Sequence, residues 1–268
     1  MVRSTLFNVA FYVVTGLMLV FLCPLLVCPR SWAMAALKLH ARIALWLQRV
    51  IVGTRFEVRG LEHLPAGPVL VASKHQSAWD TFALIPLLRD PALIMKAELM
   101  RIPFYGWFSR KFAMIPIRRE RRTASLRELI RESRERAEQG REIVIFPEGS
   151  RRSPGAPPDF KPGVLLLYDA MNLPCCPVAL NSGLFWPRRH FSRYPGTIVV
   201  EFLEPIEPGL ERKIFRARLE SSIEDACDRL LVEAANSASP PPLPQSARQR
   251  LTELGEGHRE CVQKENIC

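Results

Sequence analysis

The segment VLVASKHQSAWD (residues 69–80) joins a short apolar run to a polar loop that contains a histidine and an aspartate, His75 and Asp80. The segment IVIFPEGSRR (residues 143–152) has the same design, with Glu148 and Arg151 after its apolar run. Short apolar runs bounded by polar loops are typical of buried strands, and parallel sheets gather functional groups at the carboxyl ends of their strands. The two segments therefore predict two strands of an α/β domain, each followed by a candidate functional loop.

The rest of residues 55–236 supports this α/β domain. Apolar runs predict strands at residues 68–73, 142–146, 176–180 and 197–202. Amphipathic periodicity predicts helices at residues 123–139 and 211–235, and Gly140 is a C-terminal stop signal for the first of them. Because strands alternate with helices, we expect a mixed, largely parallel sheet flanked by helices.

The composition limits the partners of this chain. Its 268 residues carry a formal net charge of +10, so anionic lipid, a phosphorylated substrate or an acidic carrier protein would be a suitable partner. The basic residues lack the aromatic interleaving and zinc-finger spacing of nucleic-acid-binding modules, which argues against nucleic acid. The seven cysteines contain no C-x-x-C pair and favour neither a disulfide framework nor a zinc site.

Residues 1–54 are predicted to form a membrane anchor of two helices. The run from Leu6 to Val27 carries no charge and is long enough to cross a hydrocarbon core of about 30 Å, although a cleavable signal peptide is the competing interpretation. Residues 32–52 mix apolar residues with Lys38, Arg42 and Arg49, which suits either a helix in the membrane interface or one packed on the domain. These cations follow the apolar run, so the positive-inside rule places the domain in the cytoplasm.

The last part of the chain, residues 237–268, is predicted to be a disordered tail. It begins with the proline-rich run SPPPLP (residues 239–244) and continues with a charged, sparsely apolar sequence. Such a composition offers little apolar surface to bury, so we expect no packed structure there.

The polar loops supply a base and an anion site but no nucleophile. An imidazole beside a carboxylate can accept a proton from a hydroxyl, although a His–Asp pair at this spacing also arises by chance or at a helix start. The sequence EGSR (residues 148–151) can hold a phosphorylated alcohol, or it can be a surface turn with a solvated ion pair. A third cluster places Arg118 and Arg119 after the strand-like run at residues 113–117. No G-x-S-x-G elbow, phosphate loop or dinucleotide motif is present, which favours direct attack by a substrate hydroxyl.

Four blocks of this sequence resemble, in order and spacing, the glycerolipid acyltransferase family, whose typical members are bacterial 1-acylglycerol-3-phosphate acyltransferases. His75 and Asp80 fit the H-x4-D motif of the family, and residues 115–119 fit a second block that ends in arginine. Residues 146–151 fit F-P-E-G-[ST]-R, and residues 176–180 fit a fourth, V-P-V-A-like block. Arg118 stands where many members have an acidic residue, so the register favours Arg119 as the phosphate ligand.

The resemblance implies transfer of an acyl group from acyl-CoA or acyl carrier protein to the sn-2 hydroxyl of 1-acylglycerol-3-phosphate (lysophosphatidate), which gives phosphatidic acid for phospholipid biosynthesis. It implies that His75 is the general base, that Asp80 orients it, and that backbone N–H groups at the start of the following helix are oxyanion donors. The implied acceptor-binding residues are Arg119, Glu148, Gly149, Ser150 and Arg151. No metal or bound cofactor is implied. The expected location is the anionic surface of the bacterial inner membrane, on its cytoplasmic face.

Two alternatives remain at this point. The acceptor could be another lysolipid, such as lyso-ornithine lipid, because the same four blocks would serve it. A non-catalytic protein that binds anionic lipid could use the anchor and the basic residues, but it would not need His75 and Asp80 together.

Overall fold

The helices and strands were located in a computed structural model, which describes residues 1–118 and 122–265. The helices in this part of the chain are α1 (Val2–Phe21), α2 (Arg30–Leu47), α3 (Asp80–Ala83), α4 (Tyr105–Lys111), α5 (Arg122–Glu138), α6 (Pro162–Met171), α7 (Ser182–Phe185), α8 (Arg212–Ala235) and α9 (Gln245–Glu265). The strands are β1 (Thr54–Arg59), β2 (Leu70–Ser73), β3 (Ala92–Lys96), β4 (Ile115–Ile117), β5 (Ile143–Ile145), β6 (Cys175–Leu180) and β7 (Gly196–Phe202). A π-helical turn, Gln48–Val52, extends α2.

The strands form one sheet in the order β1-β7-β6-β2-β5-β3-β4. Neighbouring strands are parallel except β6 and β7, which are antiparallel. The predicted mixed, largely parallel sheet is therefore confirmed, and the four predicted strands correspond to β2, β5, β6 and β7. The strand-like run at residues 113–117 contains β4. The sequence interpretation missed β3 and the edge strand β1, in which the exposed Arg55 and Glu57 break up the apolar signal.

Both faces of the sheet are covered, because neighbouring residues of a strand point to opposite sides. In β2, Val71 packs into the core that also contains residues of α1 and α2, whereas Leu70 and Ala72 pack into the core beneath α5, α6 and α8. The long helix α8 contributes five fully buried apolar residues to the second core, Phe215, Leu219, Ile223, Ala226 and Leu230. The polar loops after the strands therefore extend from a sheet that is packed on both faces.

The two N-terminal helices differ in how they meet the domain. Within the described residues, α1 is the one helix long and apolar enough to cross a membrane. Helix α2 instead packs on the domain: it buries Ala33, Met34, Ala41 and Ala44, and the ammonium of Lys38 donates to the carbonyls of Leu88 and Arg89. The prediction of two anchoring helices is corrected to one spanning candidate, α1. The second helix, α2, packs one side on the domain and leaves the other side exposed.

The predicted disordered tail is wrong for residues 245–265, which form α9. Its apolar residues recur at a helical spacing as Ala247, Leu251 and Leu254, and Ala247 is fully buried. The guanidinium of Arg250 binds both carboxylate oxygens of Asp228 on α8. The charged composition hid this narrow apolar stripe, which gains its stability from packing on the domain rather than from the helix itself.

One fully buried arginine fastens the amino-terminal side of the sheet. The side chain of Arg141, just before β5, is 0 % exposed and donates to the backbone carbonyls of Asp90, Pro91, Phe112 and Ala113. Burial lowers its pKa to about 10, so the guanidinium stays charged at neutral pH. Asp90 lies within 3.4 Å and also binds Arg30 of α2. A single side chain therefore ties the segments that lead into β3 and β4 to the sheet and, through Asp90, to α2.

Candidate active site

Three neighbouring strands bring their carboxyl ends together at one edge of the sheet. The strands β6, β2 and β5 lie side by side and run parallel. They are followed by Ser182, His75 and Glu148, respectively. The edge is therefore where the first, third and fourth sequence blocks meet.

His75 and Asp80 form a hydrogen-bonded pair. The Nδ1 atom of His75 lies 2.9 Å from Oδ2 of Asp80, and the carboxylate is fully buried. The imidazole stacks on the ring of Phe146, with ring centroids 4.1 Å apart. Because Nδ1 faces a carboxylate, the tautomer with the proton on Nδ1 is favoured, which leaves Nε2 with a free lone pair. The pair has the geometry of an oriented general base.

Asp80 is held by several donors besides the histidine. Its Oδ2 atom accepts the backbone N–H groups of Gln76 and Ser77, each at 2.8 Å. Its Oδ1 atom accepts the hydroxyl of Ser182. The carboxylate is thus fixed from two loops, and it fixes the imidazole in turn.

Three backbone N–H groups just before α3 already have hydrogen-bond acceptors within the loop. Those of Gln76 and Ser77 bind Asp80, and that of Trp79 binds the hydroxyl of Ser77 at 3.2 Å. These three groups are therefore not the expected oxyanion donors, since each already donates a hydrogen bond within the loop.

Glu148 lies in a buried ion-pair network. Its Oε1 atom is 3.0 Å from the ammonium of Lys74, which also binds Glu224 of α8. The side chains of Lys74 and Glu148 are 3 % and 0 % exposed. Burial raises the pKa of Glu148, and the charge of Lys74 opposes that rise. The second oxygen, Oε2, is buried and has no hydrogen-bond partner within the described part of the chain, so the carboxylate keeps one open acceptor.

The turn after Glu148 sets the direction of the next side chains. Gly149 has a φ of +63° and donates its N–H to the carbonyl of Phe146 at 2.8 Å, a left-handed turn that suits glycine. Ser150 and Arg151 follow at the same strand end and are half-buried. The guanidinium of Arg151 has no ion-pair partner in the described residues, and burial followed by the charges of Arg188 and Arg189 lowers its pKa. It is therefore a cation that can take an anionic ligand.

Two other arginines near the sequence blocks, Arg118 and Arg152, do not offer a guanidinium to this site. Arg118 is exposed after β4, at the far end of the sheet from β2. Arg119 lies outside the described residues. Arg152 donates its guanidinium to the carbonyl of Pro157 and its backbone N–H to the carbonyl of His75, so it supports the loop. Within the described residues no group of three or more His, Cys, Asp or Glu side chains could hold a metal ion.

Sequence reasoning missed four residues near this edge: Ser182, Glu224, Arg188 and Arg189. Ser182 had a usable signal, because it follows the fourth block at the end of a predicted strand. Glu224 had none, because only the packing of α8 brings it to Lys74. Arg188 donates to the carbonyl of Arg151 at 2.7 Å, a contact between segments distant in the sequence.

The charge of Glu224 contributes to the stability of this network. We expect Glu224→Gln to lower the free energy of unfolding by about 1 kcal/mol, because the amide oxygen still accepts from Lys74 but without its charge. Glu220→Gln, one turn earlier on α8, is the matched control, and a change within about 0.5 kcal/mol is expected there. Chemical denaturation of the three proteins measures both values. Equal losses for the two variants would contradict a specific contribution from Glu224.

A model of the acyltransferase family matches residues 55–181. Over 159 residues the chain is 40 % identical to a 1-acyl-sn-glycerol-3-phosphate acyltransferase of Pseudomonas aeruginosa, which covers 59 % of this chain and 62 % of that protein. It is 32 % identical over 105 residues to a lyso-ornithine lipid O-acyltransferase of the same organism, which covers 39 % of this chain and 40 % of that protein. The alignment with the first of these relatives thus spans less than two thirds of that protein's length.

A solved structure shares the fold. The 1-acyl-sn-glycerophosphate acyltransferase PlsC of Thermotoga maritima superposes with a TM-score of 0.73 and 22 % sequence identity, covering 85 % of this chain and 96 % of that one. The matched residues 55–181 contain β2 to β6, all of β1 except Thr54, the His75–Asp80 pair and the Glu148 loop. Over this domain, the chain is similar to members of the acyltransferase family.

Proposed function

We propose that this protein transfers an acyl group from a thioester donor, acyl-CoA or acyl carrier protein, to the sn-2 hydroxyl of 1-acylglycerol-3-phosphate. The observation that carries the proposal is the meeting of three features at the carboxyl ends of β2 and β5. They are an oriented imidazole and, among the described residues, a carboxylate oxygen of Glu148 with no hydrogen-bond partner and a guanidinium of Arg151 with no ion-pair partner. Together they offer a base, an acceptor for a glycerol hydroxyl and a cation for a phosphate. The similarity to 1-acyl-sn-glycerol-3-phosphate acyltransferases supports this choice.

In the proposed reaction, Nε2 of His75 takes the proton of the acceptor hydroxyl while the oxygen attacks the thioester carbonyl. Asp80 accepts a hydrogen bond from the N–H at Nδ1 and stabilises the imidazolium that forms. The tetrahedral intermediate then collapses, the C–S bond breaks, and the imidazolium returns the proton to the thiolate. The products are an ester and a free thiol, and no oxidation or reduction takes place. Since the step balances with His75 alone as proton carrier, we propose that no metal or bound cofactor takes part.

The acceptor is proposed to lie across the loops after β2 and β5. Glu148 Oε2 would orient the glycerol, with Gly149 and Ser150 shaping the turn beside it, and Arg151 would bind the phosphate together with Arg119. The helix α1 would keep the domain at the cytoplasmic face of a bacterial inner membrane, where a lysolipid acceptor is found. The acceptor then reaches His75 without carrying its acyl chain through water.

The release of free thiol from labelled acyl-CoA, or from acyl carrier protein that carries a labelled acyl group, tests this function. Purified protein would be given 1-acylglycerol-3-phosphate, lyso-ornithine lipid or a monoacylglycerol as acceptor. We expect the highest kcat/KM with the phosphate-bearing acceptor, and no loss after treatment with a chelator. A preference for lyso-ornithine lipid, as the name of one relative suggests, would replace the proposed acceptor. Binding of anionic vesicles without thiol release from any pair would support the non-catalytic alternative.

Arg151 is expected to act on acceptor binding. Arg151→Ala should raise the KM for 1-acylglycerol-3-phosphate by about 10- to 100-fold, the equivalent of about 1.5–3 kcal/mol for a charged hydrogen bond. The KM for the acyl donor should stay unchanged, because the phosphate belongs to the acceptor. Initial rates at varied acceptor and donor concentrations give both constants, with Arg212→Ala at an exposed position as control. An unchanged acceptor KM would remove Arg151 from the phosphate site.

A further inference from the structure

The loop at residues 186–193, here called the bridging loop, joins both catalytic loops. The carbonyl of Trp186 accepts the hydroxyl of Ser77, in the loop between His75 and Asp80, at 2.7 Å. The guanidinium of Arg188 donates to the carbonyl of Arg151 at 2.7 Å. One surface segment is thus bonded to the loop of the base and to the loop of the proposed phosphate ligand.

The first turns of α1 hold the other side of the bridging loop. The hydroxyl of Ser4 accepts the N–H of Arg193 at 2.9 Å and also contacts its carbonyl. The amide of Asn8 donates to the carbonyl of Phe191 at 2.9 Å. The ring of Phe7 is fully buried and meets Trp186 edge-on, with centroids 5.3 Å apart. The apolar helix is therefore attached to the domain at this loop.

The bridging loop is stiffened from within by Arg193. Its guanidinium lies over the ring of Trp186, with 4.4 Å between the carbon and the ring centroid, and donates to the carbonyls of His190 and Ser192. Burial lowers the pKa of Arg193 to about 10, which keeps it charged at neutral pH. These contacts hold both ends of the bridging loop in place, and with them the residues between Trp186 and Arg193.

Those residues add positive charge beside Arg151. Arg188 and Arg189 are exposed, and their charges contribute to the lowered pKa of Arg151. Among the described residues, none of the three guanidiniums has an acidic partner within ion-pair distance. Arg189 also has a φ of +60°, a conformation that costs energy for a side chain other than glycine. The carboxylate of Asp80 lies beyond ion-pair distance, and its charge partly opposes the lowering of the Arg151 pKa. The three like charges repel each other, and a phosphomonoester with two negative charges would relieve that repulsion.

We propose that the bridging loop is the second wall of the acceptor site, where Arg188 and Arg189 select acceptors that carry a phosphomonoester, and that α1 positions this wall through Ser4, Phe7 and Asn8. The inference rests on the proposed function and adds two specificity residues and one positioning helix to it. The apolar helix α1 and the proposed headgroup site are then joined through the bridging loop.

Steady-state kinetics of the double variant Arg188→Gln/Arg189→Gln test the charge of the wall. We expect the KM for 1-acylglycerol-3-phosphate to rise about tenfold or more, whereas kcat, the KM for acyl-CoA and the rate with an uncharged monoacylglycerol stay near those of the wild type. Inorganic phosphate should also inhibit the variant less than the wild type. The control is Arg212→Gln/Arg216→Gln, two exposed arginines at the start of α8.

The outcomes separate this inference from the proposed function. A wild-type protein that uses no phosphate-bearing acceptor would overturn the proposed function and the inference with it. A wild type active on 1-acylglycerol-3-phosphate, together with an unchanged KM in the double variant, would overturn the inference alone.

Asn8→Ala tests the role of α1 as a positioning helix. We expect an increase in the acceptor KM, with kcat and the donor KM unchanged. The loss of the hydrogen bond to Phe191 loosens the bridging loop but does not alter the His75–Asp80 pair. Thr5→Ala, at an exposed position one turn earlier on the same helix, should leave every constant unchanged. A lowered Tm without any change of the acceptor KM would show that the contact is only structural and would overturn the positioning role.

Discussion

His75→Ala is expected to lower the rate of acyl transfer by about 10³-fold, within the range typical for the loss of a general base. The variant should remain folded, because Asp80 keeps three donors, the N–H groups of Gln76 and Ser77 and the hydroxyl of Ser182. Thiol release and the Tm, measured on the same preparation, separate catalysis from stability.

The matched control is His63→Ala. The ring of His63 contacts the carbonyl of Phe202 and the carboxylate of Glu204, away from the strand edge that holds His75. Its loss should leave the rate of transfer within about twofold of the wild type, since a residue outside the site changes no interaction of the transition state. A folded His75→Ala protein with near-wild-type activity would remove His75 from the reaction.

Arg141→Met is expected to have the largest effect on stability. The substitution fits the space of the side chain but removes the donor to the carbonyls of Asp90, Pro91 and Phe112, whereas the carbonyl of Ala113 keeps Arg136 as a second donor. The loss of one partner from a buried charged network costs about 3–5 kcal/mol, and at the lower figure the Tm should fall by roughly 10 °C.

Thermal and denaturant unfolding in detergent solution measure this loss, with Arg127→Met as the control at an exposed position of α5. The control should change the free energy of unfolding by less than about 0.5 kcal/mol. A loss below about 1 kcal/mol in Arg141→Met would show that water or a local shift of the chain replaces the guanidinium at little cost.

The central part of the site could be predicted from the sequence because its signals are local. Each of β2 and β5 is a short apolar run followed at once by polar residues, and parallel strands place such loops at one edge. The structure adds that the two strands are direct neighbours, which brings Phe146 onto the ring of His75. The contact follows from strand order, which the sequence alone did not provide.

The parts that were missed depend on contacts between distant segments. Glu224 reaches Lys74 only because α8 crosses the sheet, and Arg188 reaches Arg151 only because the bridging loop returns to the third block. The helix α9 was hidden by its charged composition, although Ala247 and Leu251 lie one turn apart and face the domain. For α2, the cations that suggested a membrane interface include Lys38, which binds carbonyls of the domain. Composition describes the residues of such a helix but not the surface that it meets.

The most direct test of the central claim is the identity of the product formed from labelled acyl-CoA and 1-acylglycerol-3-phosphate by wild type and His75→Ala. Mass spectrometry of the lipid fraction would detect the label, and the free thiol would be counted in parallel. From the wild type we predict phosphatidic acid labelled at the sn-2 position, formed in the same molar amount as the free thiol. From the folded variant we predict a yield about 10³-fold lower. Folded wild-type protein that forms no labelled phosphatidic acid from either thioester donor, or equal yields from the two proteins, would contradict the account.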